Sequence, residues 1–182
     1  LDENNAHELY SNAIDSLLNI QKKVDTKGLK NYSEQLLIDE MKLFPEWYLA
    51  KLKNNNLKNY DDLNQIFFLI SKKSLLQNTC FVHRDFHSRN LMYVQDNNPG
   101  ILDYQDAVYG PLSYDLVSLL KDAYIKWDEE FVIDQVVRYW EKAKKIGLVH
   151  NQDFSEFYKN FEWIGVQRHL KILGIFARLS IR

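Results

Sequence analysis

The segment His83–Asn90 concentrates residues able to do chemistry, reading His-Arg-Asp-Phe-His-Ser-Arg-Asn. A further carboxylate, Asp103, follows Asp85 by eighteen positions, directly after the short apolar run Ile101–Leu102. Phosphoryl transfer from ATP needs a carboxylate that orients the acceptor hydroxyl and takes its proton, and hard oxygen ligands that hold Mg²⁺ on the phosphates. The pattern H-R-D-x-x-x-x-N supplies such a base and one such ligand. We therefore predict Asp85 as the base, with Asn90 and Asp103 as the metal ligands.

Short β-strands must position these residues. Residues 91–94 and 101–102 are β-type runs, and Pro99-Gly100 between them is typical of a hairpin turn. Cys80–Val82 is a short apolar run just before the catalytic segment. A hairpin of this length brings Asn90 and Asp103 together.

Elsewhere the apolar residues recur at helical spacing, and the chain has only six glycines and three prolines. The predicted helices span residues 4–24, 33–55, 61–77, 113–125, 129–146, 153–161 and 162–179. Gly147 is a suitable left-handed residue to end the fifth of them. The predicted fold is mainly α with a small β-hairpin, in one domain over residues 1–182.

Composition narrows the class of protein. A net charge of −2 gives no electrostatic reason to expect nucleic acid or an anionic membrane as partner. Cys80 is the single cysteine, which excludes an internal disulfide and favours a reducing compartment. No apolar run reaches the roughly 18 residues that span a bilayer. We expect a cytoplasmic protein that acts on a small-molecule acceptor.

The catalytic segment resembles that of the aminoglycoside phosphotransferase and choline kinase superfamily, small-molecule kinases with a protein-kinase-like fold. His87 stands two residues after Asp85, as in that family's H-G-D-x-H-x-x-N pattern, and Asp103–Asp106 is similar to its D-x-x-D motif. Gly110–Leu116 leads directly into a helix, without the activation segment of protein kinases. The resemblance covers essentially the whole chain and implies the C-terminal lobe of that fold.

A narrower resemblance concerns three blocks, residues 82–92, 100–130 and 165–179. They look like bacterial kinases of peptidoglycan recycling, which phosphorylate N-acetylmuramic acid and N-acetylglucosamine at the 1-position. This resemblance implies ATP and Mg²⁺ as cofactors and an amino sugar as acceptor. Aminoglycosides, choline-like alcohols and homoserine-like acceptors go with the same motifs and remain open.

The resemblance also implies supporting residues around the catalytic loop. His83 is expected to pack and to hydrogen-bond the loop backbone, and His87 to brace the loop or touch substrate. Asp106 is expected to assist the metal or to hold the loop. Asp115 stands at a helix start, where an N-cap is the default role, and this cap can also tie down the loop backbone.

Five further residues are candidates for the acceptor pocket. Asp122, Trp127 and Asp128 lie in a region that faces the acceptor in the family, although Trp127–Glu130 also has the composition of a helix N-terminus. Arg168 and His169 interrupt an otherwise apolar helix. They are either satisfied buried polar groups or residues of a sugar pocket.

The N-terminal nucleotide lobe of the family has no counterpart before residue 83, because this stretch is helical and contains no G-x-G-x-x-G. We expect a C-terminal lobe alone, with the catalytic loop at 83–90 and the metal motif at 103–106. Such a lobe should fold, bind ATP only weakly and lack measurable activity. Self-association through its exposed interlobe face could replace the missing lobe.

Two other function classes compete with a kinase. The spacing His83-x-Asp85-x-His87 could also hold a metal that activates water in a hydrolase. A hydrolase needs more ligands, however, and the remaining histidines lie in no metal-like motif. A non-catalytic interaction module is the other class, against which the intact trio of Asp85, Asn90 and Asp103 argues.

Overall fold

Helices account for most of the structure, a computed structural model that describes residues 3–55, 61–96 and 98–181. The α-helices are α1 (Glu3–Lys23), α2 (Glu34–Leu43), α3 (Asp61–Ser74), α4 (Tyr114–Leu120), α5 (Glu129–Lys145) and α6 (Phe154–Ile181). A π-helix spans Phe44–Leu52, and a 3₁₀ turn spans Ser88–Asn90. The strands are β1 (Thr79–Val82), β2 (Leu91–Met92), β3 (Gly100–Ile101) and β4 (Val108–Pro111). The predicted fold class, mainly α with a small hairpin, is confirmed.

The strands form two antiparallel pairs. Strands β2 and β3 make the predicted hairpin, with Leu91 opposite Ile101, although each strand is shorter than predicted. Strand β1 pairs with β4, which the sequence did not predict, and Val82 lies opposite Val108. Gly110 and Pro111 make β4 hard to predict from the sequence, because both residue types are rare in strands. Pairing with β1 therefore defines this strand, rather than its own propensity.

Helix α4 lies at the centre of the molecule, and all seven of its residues are buried. A helix that is buried on every side needs no amphipathic pattern. It ends at Leu120 instead of at the predicted residue 125, because Lys121 leaves the helical conformation. The Asp122 carboxylate then accepts the amide N–H of Tyr124 at 3.0 Å, which stabilises a loop in place of another helical turn.

Around α4, the main core joins α1, α5, strands β1 and β4, and the first half of α6. It contains fully buried side chains such as Leu17, Val136 and Phe161. A second cluster, Met41, Phe67 and Ile70, lies between α2 and α3 and packs against the later part of α6. No helix in the described ranges has the length and apolarity to cross a bilayer.

Helix α6 is continuous over 28 residues, whereas the sequence predicted two helices. Its apolar pattern changes along its length because its first half contributes Phe157 and Phe161 to the main core, while Trp163 and Leu170 pack on the second cluster. Helix α5 ends as predicted at Gly147, which has φ +75°. The amides after its last turn bond back to Lys144 and Ala143, as in a Schellman motif.

The predicted helix 33–55 changes type at Phe44, where α2 gives way to the π-helix. Pro45 has no amide N–H to donate to the α-helical ladder. The wider turns that follow include a bond from the Lys53 amide to the Tyr48 carbonyl, five residues back. The junction lies against α6 so closely that a Cβ on Gly174 would overlap the Leu43 backbone.

We predict that Gly174→Ala destabilises the chain by about 1–3 kcal/mol, because the added methyl group has no space and the backbone must move. Gly165→Ala, in the same helix, is the matched control, since its methyl group would meet only the flexible end of Lys121. Alanine's better helix propensity should therefore stabilise the control or leave it unchanged. Urea unfolding followed by circular dichroism measures both, and equal stabilities would contradict the steric argument.

Candidate active site

The catalytic loop begins where β1 ends, and a carboxylate from α4 holds its first residues. The amide of His83 donates to Asp115 Oδ2 at 2.7 Å, and the amide of Arg84 donates to Asp115 Oδ1 at 3.0 Å. Ser113 occupies the N-cap position of α4, so Asp115 lies inside the first turn and does not cap the helix. Its side chain instead ties down the loop backbone, the second of the two roles expected for it.

Asp115 is fully buried, which is costly for a carboxylate. Burial raises the pKa of its carboxyl group to about 7, although the two loop amides and the nearby Arg168 guanidinium act in the opposite direction. The protonation of this group is therefore linked to the placement of the loop.

The next turn brings Asp85 and Asn90 together. The Asp85 carbonyl accepts the His87 amide at 3.1 Å and the side-chain amide of Asn90 at 3.0 Å. These bonds fix Asn90 beside the predicted base. The Asp85 carboxylate itself remains partly exposed at the surface of the loop.

The hairpin places Asp103 beside Asn90. The Leu102 amide donates to the Asn90 carbonyl at 3.0 Å, which extends the β2–β3 ladder by one bond. Asp103 is exposed, has the left-handed φ of +70°, and accepts a bond from the Gln105 side chain at 2.7 Å. Asp106 is also exposed, and its backbone carbonyl faces the Arg84 guanidinium at 3.4 Å.

The oxygen atoms around this hairpin suit Mg²⁺, which prefers carboxylate and amide oxygens. The Asn90 amide nitrogen donates to the loop, and only one carboxylate oxygen of Asp103 accepts a bond from Gln105. The Asn90 Oδ1 atom and the second Asp103 oxygen accept no hydrogen bond from the described residues. They would hold the metal, whose charge would neutralise the phosphate oxygens.

The two histidines of the loop have separate surroundings. His83 is buried, and its Nδ1 accepts the Asp85 amide at 3.3 Å. The His87 ring lies 5.5 Å from that of Tyr124. Burial lowers the pKa of both imidazoles. Within residues 3–55, 61–96 and 98–181, no three His, Cys, Asp or Glu side chains converge as metal ligands.

Asp122 supports the catalytic loop from its other end. Its Oδ2 accepts the Ser88 amide at 2.9 Å, at the start of the 3₁₀ turn. Trp127 donates its indole N–H to the Tyr10 hydroxyl at 2.7 Å, and Asp128 is the N-cap of α5. The Asp128 cap matches the helix N-terminus that Trp127–Glu130 predicts. A role of Asp122, Trp127 and Asp128 in the acceptor pocket stays a prediction.

Arg168 and His169 point to different sides of α6. Arg168 is buried and donates to the Arg84 carbonyl at 3.0 Å and to the Tyr114 hydroxyl at 3.3 Å. These contacts hold Arg168 inside the protein, although its Nε atom has no hydrogen-bond partner among the described residues, and a role in a sugar pocket stays a prediction. His169 is exposed, and partial burial together with the charge of Lys121 lowers its pKa.

Sequence reasoning overlooked a basic and aromatic surface next to the loop. The Arg89 guanidinium lies 3.9 Å above the Tyr124 ring, which also meets Phe176 edge-on at 6.0 Å. Arg89 and Ser88 also border a cavity of about 370 Å³ whose other walls are mainly apolar side chains of α1 and the hairpin. No motif spacing connects Arg89 with Tyr124, so the sequence carried no signal for this contact.

Comparisons with known proteins identify relatives of this chain. Residues 1–146 match the phosphotransferase enzyme family, APH. The N-acetylmuramate/N-acetylglucosamine kinase of Neisseria meningitidis serogroup B is 49% identical over 180 residues, 97% of this chain and 54% of that protein. The kinase of the same name from Pseudomonas aeruginosa is 43% identical over all of this chain and 54% of its own length. The chain thus spans about half the length of these curated relatives.

Solved structures share the fold at low sequence identity. A gentamicin complex of APH(2″)-IIa has a TM-score of 0.53 and 17% identity, covering 98% of this chain and 64% of that one. ADP-bound aminoglycoside phosphotransferase APH(2″)-Ib has a TM-score of 0.50 and 18% identity, covering 94% of this chain and 67% of that one. At this level of identity, these structures show that the chain shares their fold and nothing further.

We predict that Asp115→Asn changes how stability depends on pH. The pKa of Asp115 is about 7 in the folded chain, above its ordinary 3.8, so between these pH values the folded state binds more protons than the unfolded state. The contribution of Asp115 to stability is therefore greatest below about pH 4 and is lost as the pH rises through 7.

The free energy of unfolding of wild type, minus that of Asp115→Asn, should consequently fall by roughly 2–3 kcal/mol between pH 5 and pH 8. Urea titrations of both proteins at pH 5, 6.5 and 8 measure this difference. Other titrating groups are common to the two proteins and cancel. A difference that grows with pH would mean that the ionised carboxylate is the favoured form.

Proposed function

The chain belongs to the phosphotransferase enzyme family, and on that basis we propose that it is the catalytic half of an ATP-dependent small-molecule kinase. The observation that carries the proposal is the pair of hydrogen bonds from Asn90 to Asp85 and from Leu102 to Asn90. They join the proposed base and the two proposed metal ligands around one short hairpin. Phosphoryl transfer needs this combination of groups.

In the proposed reaction, the Asp85 carboxylate orients the acceptor hydroxyl and takes up its proton as the bond to phosphorus forms. Asn90 and Asp103 would hold Mg²⁺, which would neutralise charge on the phosphate oxygens. The γ-phosphoryl group passes directly from ATP to the acceptor oxygen, its bond to the β-phosphate oxygen breaks, ADP leaves, and no phospho-enzyme forms. The loop contacts of Asp115 and Asp122 keep Asp85 in place for this step.

For the acceptor, we propose an amino sugar phosphorylated at its 1-position. The support is the 49% and 43% identity to two kinases named for N-acetylmuramate and N-acetylglucosamine, over nearly the whole of this chain. The likeness to aminoglycoside phosphotransferases, at 17–18% identity, carries no comparable information about the acceptor.

We further propose that a nucleotide-binding lobe covers the hairpin in the full-length protein. Met92, Leu102 and Tyr104 are large apolar or aromatic side chains that lie exposed beside the proposed metal site. Exposed groups of this kind next to a site favour a partner surface. Without that lobe, ATP would be held only through the metal, so activity should be assayed in the full-length protein.

We predict that the full-length protein, given Mg²⁺ and ATP, converts N-acetylglucosamine or N-acetylmuramate to a sugar 1-phosphate, which ³¹P NMR identifies. Asp85→Asn should lower kcat by about 10²–10⁴-fold with little change in ATP binding, because only the general base is lost. Asp96→Asn, which alters an exposed carboxylate of the hairpin loop, is the matched control. Asp85→Asn activity within threefold of wild type would remove Asp85 from the mechanism.

We predict that Asp103→Ala weakens binding of Mg²⁺·ATP and abolishes turnover, since an essential oxygen ligand is lost. Gln105→Ala is its control, because it deletes only the hydrogen bond to the Asp103 carboxylate. Turnover and nucleotide affinity measured across a Mg²⁺ titration distinguish the two variants. If Asp103→Ala shows the Mg²⁺ requirement of wild type, Asp103 is not a metal ligand.

A further inference from the structure

The residue immediately before the proposed base has an unusual backbone. Arg84 has φ +76°, in the left-handed region that glycine adopts freely and that residues with a Cβ adopt at a cost. Both of its backbone polar groups are nevertheless bound. Its amide donates to Asp115, and its carbonyl accepts the buried Arg168 guanidinium at 3.0 Å.

The Arg84 side chain is held as firmly as its backbone. Its Nη2 donates to Glu40 Oε1 at 2.6 Å, and its Nη1 faces the Asp106 carbonyl at 3.4 Å. Glu40 belongs to α2 and stands 44 residues earlier in the chain. The contact therefore joins the catalytic loop to a helix that is distant in the sequence.

Glu40 is a buried carboxylate, and both of its oxygens accept hydrogen bonds. Besides Arg84, it accepts the Lys171 ammonium at 2.8 Å, the Gln167 amide at 3.0 Å and the Tyr32 hydroxyl at 2.5 Å. Burial raises its pKa, but Lys171, Tyr32 and Arg84 outweigh burial, so the pKa lies below its ordinary value. Glu40 is thus a fixed anion in a rigid setting, and its charge also raises the pKa of Arg84.

The surrounding charges make this anion necessary. Arg84, Arg168 and Lys171 bring three cations into a region where Glu40 and Asp115 are the buried carboxylates. Removing one partner of such a cluster leaves buried charge without compensation. Arg84 occupies a backbone position suited to glycine, and its side chain bonds into this cluster. This combination indicates that the arginine has a structural role in the loop.

We propose that Arg84 is a positioning residue and that Glu40 acts through it to fix Asp85 for proton transfer. The inference rests on the proposed function, because it assigns Asp85 as the base. Residue 84 adjoins Asp85, so any rotation of its backbone displaces the Asp85 carboxylate from the acceptor hydroxyl. Displacements of about 1 Å can cost on the order of 10²-fold in rate.

The first test compares Arg84→Gly with Arg84→Lys in the full-length protein. Arg84→Gly removes the backbone strain together with the contact to Glu40, whereas Arg84→Lys keeps a cation within reach of Glu40. We expect Arg84→Gly to lower kcat by roughly 10- to 100-fold with KM for both substrates little changed. Arg84→Lys should recover part of this loss. If Arg84→Gly has the kcat of wild type, the arginine is merely tolerated and the proposal is overturned.

The second test asks whether Glu40 acts through Arg84. Glu40→Gln removes the charge at nearly constant volume, and the double variant Glu40→Gln/Arg84→Gly completes a cycle. Residues that act through one contact lose activity non-additively, so the double variant should be no slower than the slower single variant. Additive losses would overturn the role of Glu40. Should Glu40→Gln fail to fold, Arg84→Gly and Arg84→Lys alone decide the proposal, because the Arg84 side chain is partly exposed.

A third measurement does not depend on activity. Hydrogen exchange of the peptide covering residues 83–87 should be faster in Arg84→Gly than in Arg84→Lys, while exchange in α4 and α6 stays unchanged. Equal exchange of this peptide in the two variants would overturn the proposal. Wild-type protein that phosphorylates no amino sugar would instead refute the proposed function, so the two failures are distinguishable.

Discussion

The site depends on one buried carboxylate. Asp115 accepts two consecutive amides of the catalytic loop, and it stands on α4, in which every residue is buried. The loop therefore takes its position from a fully buried helix, although its functional groups lie at the surface. An anion placed there needs amide donors and a nearby cation, which the loop and Arg168 supply. The hydrogen bonds to Asp115 consequently connect the catalytic loop directly to the core.

Helix α6 gives this arrangement its second support. Its early turns join the main core, its later turns pack on α2 and the π-helix, and its Arg168, Gln167 and Lys171 side chains reach inward. These polar side chains are buried, and they connect the catalytic loop with α2. Gln167 and Lys171 donate to Glu40, and Arg168 donates to the Arg84 carbonyl. The close approach of Leu43 to Gly174 keeps α2 near enough for this connection.

The sequence predicted those features that depend on neighbours in the chain. Helical spacing, the hairpin before Asp103 and the helix end at Gly147 are all local patterns, and the structure has them. The family resemblance came from motif spacing and is confirmed by the match over residues 1–146. The trio Asp85, Asn90 and Asp103 was visible because its members lie within twenty residues, and their catalytic roles stay predictions.

Features that depend on distant partners could not be predicted in this way. Strand β4 exists through its pairing with β1, and its own residues give no strand signal. The sequence predicted two helices in place of the continuous α6, because apolar residues along this helix face different neighbours. Glu40 gave no signal at all, since a glutamate in a helix is normally exposed and its two cationic partners, Arg84 and Lys171, lie 44 and 131 residues further along the chain.

The contact between Glu40 and Arg84 has a consequence for control. In many enzymes a loop of this kind is ordered only after a phosphate is added or a partner binds. Here the anion that receives the arginine is a side chain of the same chain, already buried and already bonded. The bond that holds the arginine of the loop is thus made within the chain, by a side chain that folding has already buried.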